Sequence, residues 1–199
     1  QAARGDDALS RISAWATSRG LALRHDTATG MGAVFSPCGQ WRYLLWRLGP
    51  RGGRLLGAGL LNPSTADETR DDPTIRQCRA RARRARFSGV IVWNLFAWRA
   101  TLPADMKRAI DPVGPDNDKA IELALSLSER TIIGWGNHGR HLARDRAVLD
   151  LCGEAGSPLH VLGITASGAP RHPLYVPRSV RLQRWRSPVD DSGLRGLDI

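Results

Sequence analysis

Five short apolar runs, separated by stretches of helical periodicity, constrain the fold of this chain more than any other feature. The apolar runs are residues 55–61, 90–95, 131–135, 159–163 and 180–184, and the helical stretches lie near residues 72–87, 116–129 and 137–152. Continuous apolar strands are typical of a parallel sheet, because helices bury both of its faces. The pattern predicts a three-layer α/β/α domain with a mostly parallel central sheet.

The N-terminal part of the chain has a different pattern. Apolar residues at helical spacing in residues 9–17 predict a short helix, and β-like runs between residues 21 and 48 predict an antiparallel meander. We expect a single α/β domain over residues 1–186, with the helix and meander of residues 1–50 packed on it. A flexible polar tail is expected over residues 187–199, and a length of 199 residues agrees with one domain.

Arginine dominates the charged residues. The chain has 29 Lys and Arg against 19 Asp and Glu, a formal net charge of +10, and its lysines are Lys107 and Lys119 alone. Arginine binds phosphate through two parallel hydrogen bonds and stacks on bases, so the excess favours nucleic acid, above all DNA, as the partner. A genomic preference for arginine codons would produce the same composition, and composition alone leaves both explanations open.

Several classes of protein are not expected. No apolar run approaches the ~18 residues of a membrane span, and the first residues do not resemble a signal peptide, so we expect a cytoplasmic monomer that does not bind membranes. The three cysteines, Cys38, Cys78 and Cys152, are widely spaced and form no metal motif, and we expect neither a metal nor a cofactor. Phosphate-binding glycine loops and serine hydrolase motifs are missing too.

Unusual polar residues follow the predicted strands. Asn62 stands before Pro63 at the end of the first strand, where it could orient water or simply form a turn. Asn94 ends the second strand, and a buried amide there needs a hydrogen-bond partner, such as the edge of a base. His172 lies between prolines in a stiffened loop. Because ligands bind at the carboxyl ends of parallel strands, we expect these side chains to share one site.

Six stretches of sequence resemble a bacterial and phage family catalogued as domain of unknown function 1643. They lie within about residues 38–185 and comprise residues 38–43, 61–67, 71–76, 94–96, 111–118 and 170–175. The family name carries no activity.

The order of these motifs also resembles, more distantly, the uracil-DNA glycosylase superfamily. The resemblance implies that Asn62 positions the attacking water, with Pro63 and Ser64 completing its motif. Asn94 would read the base, and His172 would stabilise the departing base. Three positions depart from the superfamily motifs, since Leu60 and Ser64 stand where glycines are usual and Leu174 stands where serine is usual.

Further residues complete the expected site. Phe96, or Trp93, is the candidate to stack on the base, and Asp67 is expected to assist Asn62. Asp71 and Asp72 could also supplement Asn62 as base or sugar contacts, although capping of the following helix explains either of them. The expected DNA-contacting residues are Arg76, Arg79, Arg83, Arg140, Arg171, Leu174 and Tyr175, the last two as a wedge or stacking pair.

These observations lead to three functional hypotheses. The first is a DNA glycosylase-like enzyme of base excision repair that hydrolyses the N-glycosidic bond of uracil or a related modified pyrimidine. The second is an N-glycosidase or binding enzyme for free nucleotides. The third is a non-catalytic module that senses modified bases in nucleic acid.

Overall fold

The apolar runs form strands of one eight-stranded sheet in the computed structural model, which describes residues 5–49 and 52–186. The strands are β1 (Ala22–Asp26), β2 (Met31–Phe35), β3 (Arg42–Arg47), β4 (Leu55–Leu60), β5 (Gly89–Asn94), β6 (Arg130–Ile133), β7 (Leu159–Val161) and β8 (Gln183–Arg184). They lie side by side in the order β1, β2, β3, β5, β4, β6, β7, β8. The tail predicted over residues 187–199 lies outside the described residues.

Strand direction differs between the centre and the edges of the sheet. Three of the seven strand pairings are parallel, and they join β5 to β4, β4 to β6 and β6 to β7. The other four pairings are antiparallel. The α/β class is confirmed, but the prediction of a mostly parallel sheet is wrong, because the meander β1–β3 extends the sheet itself and β8 returns antiparallel to β7. An apolar run marks a buried strand without marking its direction.

Within the described residues, one α-helix precedes β1, and four α-helices and two 3₁₀ segments connect the strands. The helices are α1 (Gly5–Ser18), α2 (Pro73–Arg84), α3 (Pro103–Arg108), α4 (Asn117–Leu127) and α5 (Arg144–Glu154), and the 3₁₀ segments are Asn137–Ala143 and Pro173–Tyr175. Helix α2 begins as its sequence predicts, since the Asp72 carboxylate accepts a hydrogen bond from the Ile75 amide at 2.8 Å. The stretch predicted as one helix over 137–152 is interrupted, because Leu142 and Ala143 adopt left-handed φ angles of 54° and 52°.

The core has two parts, one on each face of the sheet. In β5, Val90 and Val92 pack with residues of α2, whereas Ile91 and Trp93 pack with residues of α1, α4 and α5. Alternate residues of a strand point to opposite faces, so helices cover both sides of the sheet. The carboxyl ends of β4, β5 and β6 are left open at one edge of these layers.

The cysteines are free thiols, and Cys78 and Cys152 are buried as predicted. Burial raises the pKa of both thiols to about 12, so they are inert packing residues. Within residues 5–49 and 52–186, no helix is both long and apolar enough to cross a membrane. The same residues contain no group of three or more His, Cys, Asp and Glu side chains placed to hold a metal ion.

Candidate active site

A cavity of about 760 Å³ lies at the carboxyl ends of the parallel strands. Its volume is within the range of small-molecule sites, which is about 300–1,000 Å³. The sequence-predicted site residues that line it are Asn62, Ser64, Asn94, Arg171, His172, Leu174 and Tyr175. Residues far apart in the chain, which were chosen from motif order alone, thus converge on one cavity.

The Asn62 amide is held in one orientation. Its Nδ2 donates hydrogen bonds to the Ala100 carbonyl at 2.7 Å and to the Pro63 carbonyl at 3.0 Å. The Ala100 amide in turn donates to the Pro63 carbonyl at 2.9 Å, which closes the turn after β4. Since both amide hydrogens are engaged, Oδ1 is the group that Asn62 has available as an acceptor, and an acceptor is what orients a water molecule.

Asn94 is the last residue of β5 and is 1% exposed. Its Oδ1 accepts a hydrogen bond from Arg42 Nη2 at 3.3 Å, while its Nδ2 has no partner among the described residues. Its backbone carbonyl is held by Asn117 Nδ2 at 3.0 Å. A buried donor without a partner is costly in an empty protein, so the amide is suited to a ligand acceptor in the cavity.

The loop that carries His172 is pinned to the end of β6. The Gly136 amide donates to the Pro170 carbonyl at 2.9 Å, and the Arg171 amide donates to the Gly163 carbonyl at 2.9 Å. Gly134 allows this approach, because a Cβ there would lie 2.8 Å from Pro173 Cδ. The loop therefore presents His172 on a fixed backbone.

His172 is a neutral hydrogen-bond donor at neutral pH. Burial lowers its pKa below the usual value, and the opposing effect of Asp72 does not restore it. Its Nδ1 accepts a hydrogen bond from the Leu174 amide at 3.3 Å, so the proton of the neutral ring is on Nε2. An imidazole N–H in the cavity wall can stabilise negative charge that develops on a ligand.

Two further charged residues lie in the cavity wall, namely Arg42, which was not predicted, and Asp72, which was expected to assist Asn62 or to cap the following helix. Arg42 is 2% exposed, and its Nη1 donates to the Ala66 carbonyl at 2.8 Å. Asp72, the carboxylate in the described lining, uses Oδ1 to cap α2. A sequence signal for Arg42 exists, because an arginine inside the apolar run from Trp41 to Trp46 is an unusual buried charge.

The aromatic residues of the cavity differ from the predicted ones. Phe96 and Trp93 are fully buried and do not line the cavity, and the Phe96 ring lies 5.6 Å from the His141 ring. Trp135 and Tyr175 line it instead, and Tyr175 is 73% exposed. Trp135 had a signal in the sequence, since it precedes a glycine just after an apolar run.

Asp67 and Pro63 hold loops and do not line the cavity. Asp67 Oδ1 accepts hydrogen bonds from the amides of Thr69 and Arg70, both at 2.8 Å. Burial alone would raise the pKa of Asp67, but these hydrogen bonds outweigh burial and lower it. Asp67 therefore stays ionised as a turn-forming residue.

The predicted DNA-contacting arginines are dispersed. Arg171 is exposed at the cavity mouth, whereas Arg140 donates to the Ser167 carbonyl at the surface. Arg76 donates to the Asp71 carbonyl at 2.7 Å, and Arg79 forms an ion pair with the Asp71 carboxylate at 2.6 Å.

The remaining arginine of that set, Arg83, lines a second cavity of about 270 Å³ near the start of β5. It is exposed, but it faces the opposite end of the sheet from the first cavity. Of the five arginines chosen from the sequence, only Arg171 belongs to the first cavity.

A basic surface runs along α2, the helix on which the sequence places the expected DNA contacts Arg76, Arg79 and Arg83. Buried Arg81 donates to the carbonyls of Val176 and Pro177 at 2.7 and 3.2 Å, which binds residues 176–180 to the helix. Exposed Arg84 and Arg178 flank Arg81, and both lower its pKa further after the larger effect of burial. The N-terminus of α2 lines the cavity, whereas Arg84 is the last residue of the helix and follows Arg83 directly.

A family model described as protein of unknown function (DUF1643) matches residues 42–174. The matched stretch contains every cavity residue discussed above except Tyr175. Comparison with curated proteins finds no match. Comparison with solved structures finds no match either.

Proposed function

The chain belongs to the DUF1643 family, and we propose that it is a DNA glycosylase-like enzyme that hydrolyses the N-glycosidic bond of uracil or a related modified pyrimidine. The observation that carries the proposal is that Asn62, Asn94 and His172 line the same cavity. Each comes from a different segment of the chain, and each offers a group that this reaction needs.

The reaction needs little covalent chemistry from the protein. The bond between C1′ and the base nitrogen breaks and its electron pair goes to the base, so an oxocarbenium-like sugar and an anionic base develop. The oxygen of water then bonds to C1′, and one proton of that water ends on the released base. Asn62 Oδ1 is suited to orient the water, and His172 Nε2–H is suited to stabilise the anion.

Recognition of the base falls to Asn94 in this proposal. Its Nδ2 donor is free, and its Oδ1 has a second lone pair beside the bond from Arg42. Uracil presents adjacent carbonyl and N–H groups on one edge, which match a donor and an acceptor on one amide. Tyr175 supplies an exposed aromatic ring against which a base can stack, whereas Trp135 lines the cavity but is 3% exposed.

DNA binding is proposed for the surface around the cavity mouth. Leu174 and Tyr175 are 36% and 73% exposed, as expected of side chains that separate or stack on bases. Arg171 at the mouth, and the exposed Arg178 and Arg84 along α2, are the proposed phosphate contacts. Extrusion of a base costs a few kcal/mol, which such contacts offset.

The proposal also extends to the fold, in its likeness to the uracil-DNA glycosylase superfamily. We propose that the four parallel strands with helices on both faces are the part of the sheet that is uracil-DNA glycosylase-like. The order of Asn62, Asn94, Trp135 and His172 at successive strand ends supports it.

The decisive experiment incubates the protein with single- and double-stranded oligonucleotides that contain uracil or another modified pyrimidine, and measures abasic sites by alkaline cleavage. Asn62→Ala is the test variant. Gln183→Ala, on the exposed edge strand β8, is the matched control and should keep wild-type activity. We expect base release that Asn62→Ala abolishes. Binding of the same oligonucleotides without release by any variant would instead support a non-catalytic sensor.

A second candidate, an N-glycosidase for free nucleotides, is favoured by cavity size. About 760 Å³ holds more than a pyrimidine base, and Arg42 and Arg171 are both in its lining. Salt dependence separates the two candidates, because hydrolysis of monomers depends only weakly on salt whereas a DNA substrate binds with a steep salt dependence.

A further inference from the structure

Arg42 is the buried cation of the cavity wall, and its environment is incomplete. It donates two hydrogen bonds, to the Ala66 carbonyl and to Asn94 Oδ1, and both acceptors are neutral. Its Nε is buried and has no partner among the described residues. A buried charge normally needs an ion pair or a full set of hydrogen bonds, so this site is under-compensated.

None of the described charged residues near Arg42 forms an ion pair with its guanidinium. Asp72, at the start of α2, and Asp67, in the loop after β4, favour its charge from beyond contact distance. Arg99, after β5, and Arg47, on β3, oppose it. Burial lowers the pKa of Arg42 to about 10, so the guanidinium remains charged at neutral pH and leaves an excess of positive charge at the inner end of the cavity.

The bond from Arg42 also determines what Asn94 offers a ligand. Because the guanidinium engages Oδ1, the amide is oriented with Nδ2 as its unpartnered group. A cation on the amide oxygen draws electron density from the nitrogen and makes its N–H a stronger donor. Both effects favour a ligand atom that is negative.

We infer that Arg42 is a positioning residue that makes the inner end of the cavity selective for a pyrimidine carrying negative charge. It acts through Asn94 and by its fixed charge. The inference rests on the proposed function for the identity of the occupant, and in that reaction the negative pyrimidine is the departing base. A free pyrimidine anion has the same charge and shape, so its binding can be measured without any catalysis.

The test measures binding of two free bases, 5-fluorouracil and thymine, by calorimetry from about pH 6 to about pH 9. The bases are similar in size, but 5-fluorouracil is the more acidic and becomes an anion over this range while thymine stays mostly neutral. For the wild-type protein we expect the affinity for 5-fluorouracil to rise about tenfold relative to that for thymine. The thymine arm corrects for the effect of pH on the protein itself, including that of His172 in the cavity wall.

Two substitutions separate charge from packing. Arg42→Gln retains a donor for Asn94 Oδ1 without the charge, and it should abolish the rise with pH while preserving thymine binding. Arg42→Lys retains the charge and should preserve the rise. Arg54→Gln removes an exposed arginine, ion-paired with Glu129, at the start of β4, and should behave as wild type. If Arg42→Gln does not fold, the wild-type comparison and Arg42→Lys still decide.

Other results would overturn the inference. Equal affinity of the wild-type protein for both bases at every pH would reject the role of Arg42 and leave the base site of the proposed enzyme intact. Inorganic phosphate that displaces 5-fluorouracil from wild type but does not bind Arg42→Gln would make Arg42 a phosphate ligand instead. If neither base binds, the pyrimidine occupant itself is wrong, and the oligonucleotide assay then fails as well.

Discussion

The two ends of strand β3 each carry a buried arginine, and the two are held in opposite ways. Arg47, at 4% exposure, bonds through Nε to Asp71 Oδ1 at 2.7 Å and through Nη2 to the Asp67 carbonyl at 2.7 Å. Arg42, at 2% exposure, has no ion pair in the described residues and keeps an unpartnered Nε. Arg47 has its partners within the protein, although it also lines the second cavity, whereas Arg42 keeps an unpartnered nitrogen in the wall of the first cavity.

The difference separates structural from functional charge. Asp71 binds both Arg47 and Arg79, so it joins β3 to α2 at the end of the sheet opposite the first cavity. At the open end, no such carboxylate contacts Arg42, although Asp72 follows Asp71 directly in the chain. A buried arginine with a carboxylate and hydrogen-bond partners in the protein stabilises the fold. A buried arginine that lacks such partners carries a desolvation cost, which a bound ligand with a complementary charge would remove.

The largest effect is expected when each arginine is replaced by methionine in turn and the losses of stability are compared. Arg47→Met removes the ion pair with Asp71 and three hydrogen bonds to backbone carbonyls, so it should lower the free energy of unfolding by about 3 kcal/mol or more. Arg42→Met removes an under-compensated charge and should cost less than about 1 kcal/mol. Urea unfolding at neutral pH measures both, and equal losses would refute the distinction between the two ends.

The next effect concerns catalysis at the open end. His172→Ala should slow base release by about 10²–10³, or about 3 kcal/mol, because one aligned donor to the developing anion is lost. Its free energy of unfolding should change little, since His172 is only partly buried. His160→Ala on β7 is the matched control. A rate within about threefold of wild type for His172→Ala would remove histidine from the proposed mechanism.

Acid should weaken the ion pairs that Asp71 forms with Arg47 and Arg79. Burial would raise the pKa of Asp71, but Arg79 and Arg47 outweigh burial and lower it below 3.8. A carboxyl with a lowered pKa in the folded state stabilises the protein fully above its ordinary pKa and loses that contribution as the pH falls through the folded value. Asp71→Asn should therefore be less stable than wild type at neutral pH, and the gap should narrow near pH 3.

Urea unfolding at the two pH values tests this prediction. Asp105→Asn is the control, because Asp105 forms an exposed ion pair with Arg108. If the difference in free energy of unfolding between wild type and Asp71→Asn stays constant with pH, the ionised carboxylate of Asp71 is not what joins β3 to α2.

The smallest effect is expected from arginines that are exposed and have no carboxylate contact in the described structure. Arg84→Gln and Arg178→Gln should each weaken DNA binding several-fold and reduce the slope of log affinity against log salt by about one. Arg54→Gln, whose arginine is paired with Glu129 far from the cavity, should leave the slope unchanged. Unchanged slopes for both test variants would place the DNA elsewhere on the surface.

Much of the fold follows from local pattern. The start of α2 is predictable because a capping aspartate and an early proline act within one turn. Helix α3 was missed because its six residues, Pro103–Arg108, are too few for a periodic signal. The break at Leu142 and Ala143 was missed because no glycine marks these left-handed positions.

The candidate site was predictable in part. Asn62, Asn94 and His172 stand at strand ends, and the strand-end rule predicts that they meet. The stacking residue was not predictable, because Phe96 and Trp135 both lie at the ends of apolar runs and both are buried, and only the tertiary structure places Trp135 in the cavity wall. The roles of the arginines were not predictable either, since a carboxylate contact distinguishes Arg79 from Arg171.

The sequence by itself determined where strands and helices form, which family the chain resembles and which polar residues stand at strand ends. Periodicity and capping are local, and a local pattern is readable from neighbouring residues. Only the tertiary structure decided strand direction and the difference between Arg42 and Arg47. Arg47 meets Asp71 across 24 residues and Arg42 meets Asn94 across 52, and no local pattern encodes partners so distant in the chain.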